Sequence, residues 1–180
     1  MKENRWKIAS EKYIGNFKIF DIRELKAISP RTGQELPYYL LDCSDWVNII
    51  ALTKTNEVIM VEQHRFGTSK VELEIPGGMV EQNERPSDAA VRELREETGY
   101  AGKNPIYLGH VDPNPAFQTN KCHMFLIENC EPVGEMKLDP GEDIDLRKVK
   151  LNEVNNLIDV GKIRHSLVIC AFKFFDSYSK

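Results

Sequence analysis

Gly78-Met79-Val80-Glu81-Gln82-Asn83-Glu84, then seven residues, then Arg92-Glu93-Leu94-Arg95-Glu96-Glu97-Thr98-Gly99-Tyr100, is the stretch from which the rest of the chain is read. Ser87 or Asp88 reads as the cap of a helix that runs to Thr98 and stops at Gly99. On that helix Glu93 and Glu97 stand one turn apart, and the reading places Glu96 between them in angle. Ala90, Val91 and Leu94 are expected to fix the helix to the body, with Arg95 on the opposite side. Like charges at this spacing destabilise a bare helix, and Arg92 at i−4 from Glu96 neutralises only part of the cluster. A divalent cation is the natural compensation. Carboxylate oxygens suit Mg²⁺ or Mn²⁺, and the stretch holds no His or Cys that would suit Zn²⁺.

Outward from this helix the chain alternates short apolar runs with turns. Val71 to Ile75 reads as a strand ended by Pro76-Gly77-Gly78, where paired glycines let the backbone turn and a ligand approach. Upstream, Trp46 to Leu52 and Glu57 to Gln63 read as a hairpin of two core strands around Thr53-Lys54-Thr55-Asn56. Further back, Lys18 to Leu25 and Tyr38 to Cys43, joined by the turn at Ser29-Pro30-Arg31-Thr32-Gly33, make a small antiparallel sheet. Downstream, strands are expected near Ile106 to Val111, Cys122 to Glu128 and Ile144 to Val149, and helices near Leu151 to Val160 and His165 to Tyr178. The expected organisation is an N-terminal sheet over 1–45 and a mixed α/β catalytic domain over 46–180.

Composition excludes several classes. With 24 Lys and Arg against 28 Asp and Glu, the net charge of −4 carries no electrostatic footprint for nucleic acid. No apolar run approaches membrane-spanning length, and the polar opening Met1-Lys2-Glu3-Asn4-Arg5-Trp6 is unlike a signal peptide. Cys43, Cys122, Cys130 and Cys170 form no C-x-x-C pair and read as reduced thiols of a cytoplasmic protein. His64, His110, His123 and His165 are dispersed and read as structural.

The spacing from Gly78 to Tyr100 resembles the cassette of the Nudix hydrolases, G-x5-E-x7-R-E-U-x-E-E-x-G-U with U bulky and apolar. Its seven fixed positions, at about one chance in 15 each, occur together on the order of once in 10⁸ windows. Tyr100 departs from the aliphatic residue usual at the last position. The resemblance implies an α/β/α sandwich with a mixed sheet, preceded by the small sheet that relatives exchange between the subunits of a homodimer. It implies that the Gly77 carbonyl, Glu93, Glu96 and Glu97 ligate Mg²⁺ (Mn²⁺ as a substitute), that Arg92 orients the cluster, and that Glu84 supports it. It also implies a general base in a later loop. Here that loop is Asp139-Pro140-Gly141-Glu142-Asp143-Ile144-Asp145, and Glu142 is the residue chosen, as base or further metal ligand.

Within the family the chain looks most like the ADP-ribose and nucleoside diphosphate sugar pyrophosphatases. Pro115 stands where those enzymes carry proline, and Gln63-His64-Arg65 is similar to their Gln-x-Arg segment. Phe117 stands near a tyrosine of the dinucleoside polyphosphate enzymes. Arg65, Glu74, Pro115 and Phe117 are therefore the candidate substrate contacts, Arg65 because a guanidinium matches phosphate geometry. The implied reaction splits ADP-ribose, or a related nucleotide sugar, into a nucleoside monophosphate and a sugar phosphate. The alternative implied by the same resemblance is a non-catalytic module that senses nucleotide sugars, though such modules typically lose the cassette glutamates that this chain keeps.

Overall fold

The computed structural model describes residues 5–179. Met1-Lys2-Glu3-Asn4, where the reading of the opening segment begins, lie outside the described residues. The chain forms two compact units, one of Met1–Ser44 with Asp112–Lys121, the other of Asp45–Val111 with Cys122–Lys180.

The first unit is an antiparallel sheet of β1 (Lys7–Asn16), β2 (Phe20–Ile28) and β3 (Glu35–Cys43), with β2 in the middle. β1 is absent from the expectation above. Its residues are exposed along almost its whole length, so Lys7 to Asn16 shows no clean alternation of apolar and polar positions. The turn at Ser29 is as expected: its hydroxyl accepts from the Arg31 and Thr32 amides, and its carbonyl from the Gly33 amide. The segment 112–121 joins this unit through backbone bonds of Leu41 to Phe117 and of Thr119 to Leu41.

The second unit carries β4 (Trp46–Thr53), β5 (Glu57–Arg65), β6 (Lys70–Glu74), β7 (Gly77–Met79) and helix α1 (Pro86–Thr98). It continues with β8 (Tyr100–Ala101), β9 (Ile106–Val111), β10 (Cys122–Pro132), β11 (Ile144–Lys150), α2 (Val154–Asp159) and α3 (Ser166–Tyr178). The eight strands form one mixed sheet in which β10 runs parallel to β4 and the remaining pairings are antiparallel. The β4–β5 hairpin is real but short. Only Ala51 and Leu52 pair with Ile59 and Val58, after which β4 turns to β7 and β5 to β6.

Strand alternation divides the core. Ile50, Leu52, Val58, Met60, Cys122, Met124 and Leu126 face α3, which contributes Val168, Ala171 and Phe172. Val47, Ile49, Ala51, Ile59, Phe125 and Ile127 face α1, which contributes Ala89, Ala90 and Leu94. The result is the expected α/β/α sandwich. The 151–160 helix is shorter than expected, opening as a 3₁₀ turn over Leu151–Glu153 before α2. Four cysteines are free, and no helix among the described residues is long and apolar enough to cross a membrane.

Two details of α1 correct the sequence reading. The helix starts at Pro86, a residue that fits the first helical position, and its N-cap is Arg85 without a side-chain cap bond. Asp88 instead pairs with the Arg85 guanidinium at 2.7 and 2.9 Å. The inward apolar residues are Ala89, Ala90 and Leu94, whereas Val91 is 43% exposed. Val91 lies about 300° round the helix from Leu94, on the edge of the apolar stripe. Leu94→Ala is expected to cost roughly 2–5 kcal/mol in chemical denaturation. Val91→Ala is expected to cost under about 0.5 kcal/mol. Equal losses would contradict this placement of the helix.

Candidate active site

The helix α1 and strand β7 meet where the chain has no side chains to spare. A Cβ on Gly78 would fall 2.3 Å from the Glu93 carboxyl group, and one on Gly77 would fall 2.3 Å from the Val47 carbonyl. The glycine pair therefore lets the glutamates of α1 lie directly on the strand backbone. Gly77 donates its amide to Glu97 Oε2 at 3.0 Å.

Arg92 binds the rest of the cluster. It donates to both Glu84 oxygens at 2.9 Å, to Glu93 at 2.8 Å, to Glu96 at 3.1 Å and to the Met79 carbonyl at 2.9 Å. Those contacts use all five N–H donors of a guanidinium. Glu84 also accepts the Glu81 amide at 3.0 Å, closing the loop before the helix. These bonds hold the Glu84 carboxyl below the usual carboxylate range, the Arg92 pairing being the largest cause.

The angular order of the acids differs from the expectation. At about 100° per residue, Glu97 falls about 40° to one side of Glu93 and Glu96 about 60° to the other. Glu93, not Glu96, is the middle acid. Burial follows that order: Glu97 and Glu93 are buried, while the Glu96 side chain is 41% exposed. Desolvation pushes the Glu97 carboxyl up to about 8 and that of Glu93 in the same direction, and the nearby charge of Glu142 adds to both.

These groups line a cleft of about 250 Å³. Gly77, Gly78, Arg92, Glu93, Glu96 and Glu97 form one side, Gln63 and Arg65 come from the end of β5, and Lys137, Asp139 and Glu142 come from the loop before β11. The cleft thus gathers Arg65, Gly77, Arg92, Glu93, Glu96, Glu97 and Glu142 from the sequence-based set. Glu74 stands behind it, buried, holding Arg65 by two bonds of 2.8 Å. Pro115 and Phe117 belong to the other unit and are not among the residues lining the cleft.

Lys137 lines the cleft without having been named in the sequence, and Gln63 and Asp139, named there only as members of their segments, line it too. Lys137 is brought there by its amide bond to the Glu96 carbonyl at 2.8 Å, and the turn is closed by the Asp139 amide donating to Glu142 at 2.9 Å. An unassigned run of mixed charge gives no periodic signal for such placement. His110 and His123, read as dispersed, are cross-strand neighbours. Tyr107 bridges their Nδ1 atoms at 2.9 and 3.4 Å, and His123 Nε2 meets Asp45 at 2.9 Å.

In this arrangement the acids are drawn to Arg92 and to backbone amides. Among the described residues no three His, Cys, Asp or Glu side chains converge as a ready ion cage. The donor chemistry nevertheless fits a hard divalent cation. All candidate donors are oxygens, the buried Glu93 shares Arg92 with two other carboxylates, and the buried Glu97 pairs with the Gly77 amide, beside a glycine backbone with no Cβ in the way.

Known proteins resemble this chain in sequence and in fold. Residues 45–172 match the model of the NUDIX domain. Methanol dehydrogenase activator of Bacillus methanolicus is 30% identical over 93% of this chain and 94% of its own. ADP-ribose pyrophosphatase of Bacillus subtilis (strain 168) is 30% identical over 71% of this chain and 70% of its own. A crystal structure described as an ADP compounds hydrolase superposes with a TM-score of 0.85 at 16% identity, over 99% of this chain and 96% of that one, and so shares its fold. With the domain model covering most of its length and the cassette folded as one acidic cleft, the chain belongs to the Nudix hydrolases.

Proposed function

We propose that this Nudix enzyme hydrolyses the diphosphate bond of ADP-ribose, or of a related nucleoside diphosphate sugar, with Mg²⁺ as its cation. The products are a nucleoside monophosphate and a sugar phosphate. One observation carries the reading. Glu93 and Glu97 are buried side by side against Gly77 and Gly78, in a cleft that Glu142 also lines. A buried pair in which Glu93 shares its guanidinium with Glu84 and Glu96, and Glu97 meets a backbone amide, suits a hydrolase that works on an anionic substrate through a divalent cation.

The Gly77 carbonyl, Glu93 and Glu97 would hold the cation, with Glu96 as a further oxygen ligand. When bound, it neutralises diphosphate charge and acidifies water. Arg92, its donors all engaged within the protein, acts by fixing the glutamates. Glu142, whose carboxylate lines the same cleft, accepts the proton of the attacking water or serves instead as a further cation ligand. Arg65, held by Glu74, contacts a phosphate. The ADP-ribose pyrophosphatases among the relatives favour this substrate class.

Two further elements accompany the reading. The N-terminal sheet is proposed to pair with that of a second copy, because Ile8, Tyr13, Ile14 and Tyr39 leave apolar surface exposed on it. A sedimentation mass of one chain would remove that element. The free thiols accord with a cytoplasmic, reducing setting.

A second reading rests on the Bacillus methanolicus relative, whose match spans nearly both chains. In it, the same hydrolysis serves to raise the activity of a partner dehydrogenase. A sensor that binds without cleaving is disfavoured by the retained cassette glutamates.

Incubation with ADP-ribose and Mg²⁺ is expected to release AMP, and chelation to stop it. Glu97→Gln should lower kcat/KM by more than about a hundredfold with the fold intact by circular dichroism. Glu142→Gln should lower kcat by about 10²–10⁴-fold. Binding without AMP would favour the sensor, and full activity of the Glu97 variant would remove the mechanism. For the second reading, wild-type chain but not Glu97→Gln should raise the rate of a methanol dehydrogenase. Equal stimulation by both would separate activation from hydrolysis.

A further inference from the structure

Arg65 lines two concavities, the acidic cleft and a second one of about 380 Å³. The second is walled by Thr68, Lys70 and Glu72 of the β5–β6 hairpin and by Arg164 and Ser166 where the chain leads into α3. Its chemistry is opposite to that of the cleft. Glu72 is buried in the wall and is matched by Arg164 Nη2 at 2.9 Å. Glu74 matches Arg65 from behind. Lys70 acts on Glu72 electrostatically without closing an ion pair with it. Three cations therefore face two carboxylates, an excess of one positive charge. The first turn of α3, whose N-cap His165 provides no side-chain cap, adds amide donors of the same sign.

A basic concavity that shares a phosphate-shaped arginine with an acidic, cation-suited one is arranged for a ligand with two separate anionic centres. We infer that this concavity receives a phosphate borne by the sugar beyond the scissile diphosphate, so that the preferred substrates are nucleoside diphosphates joined to a phosphorylated sugar. The inference rests on the diphosphate-hydrolase reading and narrows its substrate class. Lys70 supplies the unpaired charge, and Arg164 is oriented by Glu72 to stand beside it.

The test compares ADP-ribose with ADP-ribose carrying a phosphate on its terminal ribose, under Mg²⁺. In the wild-type chain, kcat/KM should favour the phosphorylated nucleotide by about tenfold or more. Lys70→Glu should abolish that preference while leaving turnover of plain ADP-ribose unchanged. Lys70 is exposed at a strand end, so the variant is not a threat to folding, whereas Arg164→Ala would leave Glu72 buried and unpaired. Equal kcat/KM for the two nucleotides, or a preference that survives Lys70→Glu, overturns the inference while leaving the hydrolase reading in place. Should neither nucleotide be cleaved, the hydrolase reading fails on its own, and binding decides the subsite. ADP-ribose carrying the extra ribose phosphate, added to ¹⁵N-labelled protein, should then shift the amides of Thr68, Lys70 and Ser166 where plain ADP-ribose does not, and Lys70→Glu should suppress those shifts. No shifts, or the same shifts from inorganic phosphate alone, overturns it.

Discussion

Two carboxylates buried on one turn of a helix set the terms for the rest of the second unit. Glu93 and Glu97 are taken out of water against a glycine backbone, and burial raises both above the ordinary carboxylate range. Such burial is costly unless something of opposite charge is supplied. The protein supplies part of it through Arg92, whose five donors tie Glu84, Glu93, Glu96 and the Met79 carbonyl into one knot. That knot faces Glu93 and Glu96. Among the described residues, Glu97 receives the Gly77 amide and the charge of Arg65. The compensation is incomplete on the side that opens to the cleft, which is the side where a cation and a diphosphate would enter.

The sheet makes this arrangement stable enough to persist. The parallel ladder between β4 and β10 lies at its centre, with residues alternating between the α1 face and the α3 face. α1 is anchored by Ala89, Ala90 and Leu94, so its acidic side is held at a fixed angle over β7. β5 then ends at Arg65, on the same edge, and the loop before β11 returns Lys137, Asp139 and Glu142 to it. Rigid strands carry the floor of the cleft, and a loop carries the candidate base.

The cassette and its helix were legible because spacing maps directly onto a helical surface. The alternation of the core strands was legible for the same reason, with a period of two. The misreadings have physical causes. β1 carries too many exposed apolar residues to alternate, so its period is hidden. Val91 is apolar yet lies at the edge of the helix stripe, where composition alone cannot separate it from Ala89. The helix cap failed because Asp88 found a closer partner in Arg85. The Arg65–Glu74 pair and the Glu72–Arg164 pair join positions that only the β5–β6 hairpin and the approach to α3 bring together. Lys137 and Asp139 reach the cleft through backbone bonds of a loop, for which side-chain pattern holds no code.

The central claim is that an incompletely neutralised acidic floor is there to be filled by a divalent ion. The most direct measurement is anomalous diffraction from crystals soaked in Mn²⁺. The account predicts a peak in the cleft within about 2.0–2.3 Å of Glu93 and Glu97 oxygens and of the Gly77 carbonyl. A cleft free of anomalous signal, in crystals that still cleave ADP-ribose, would contradict it.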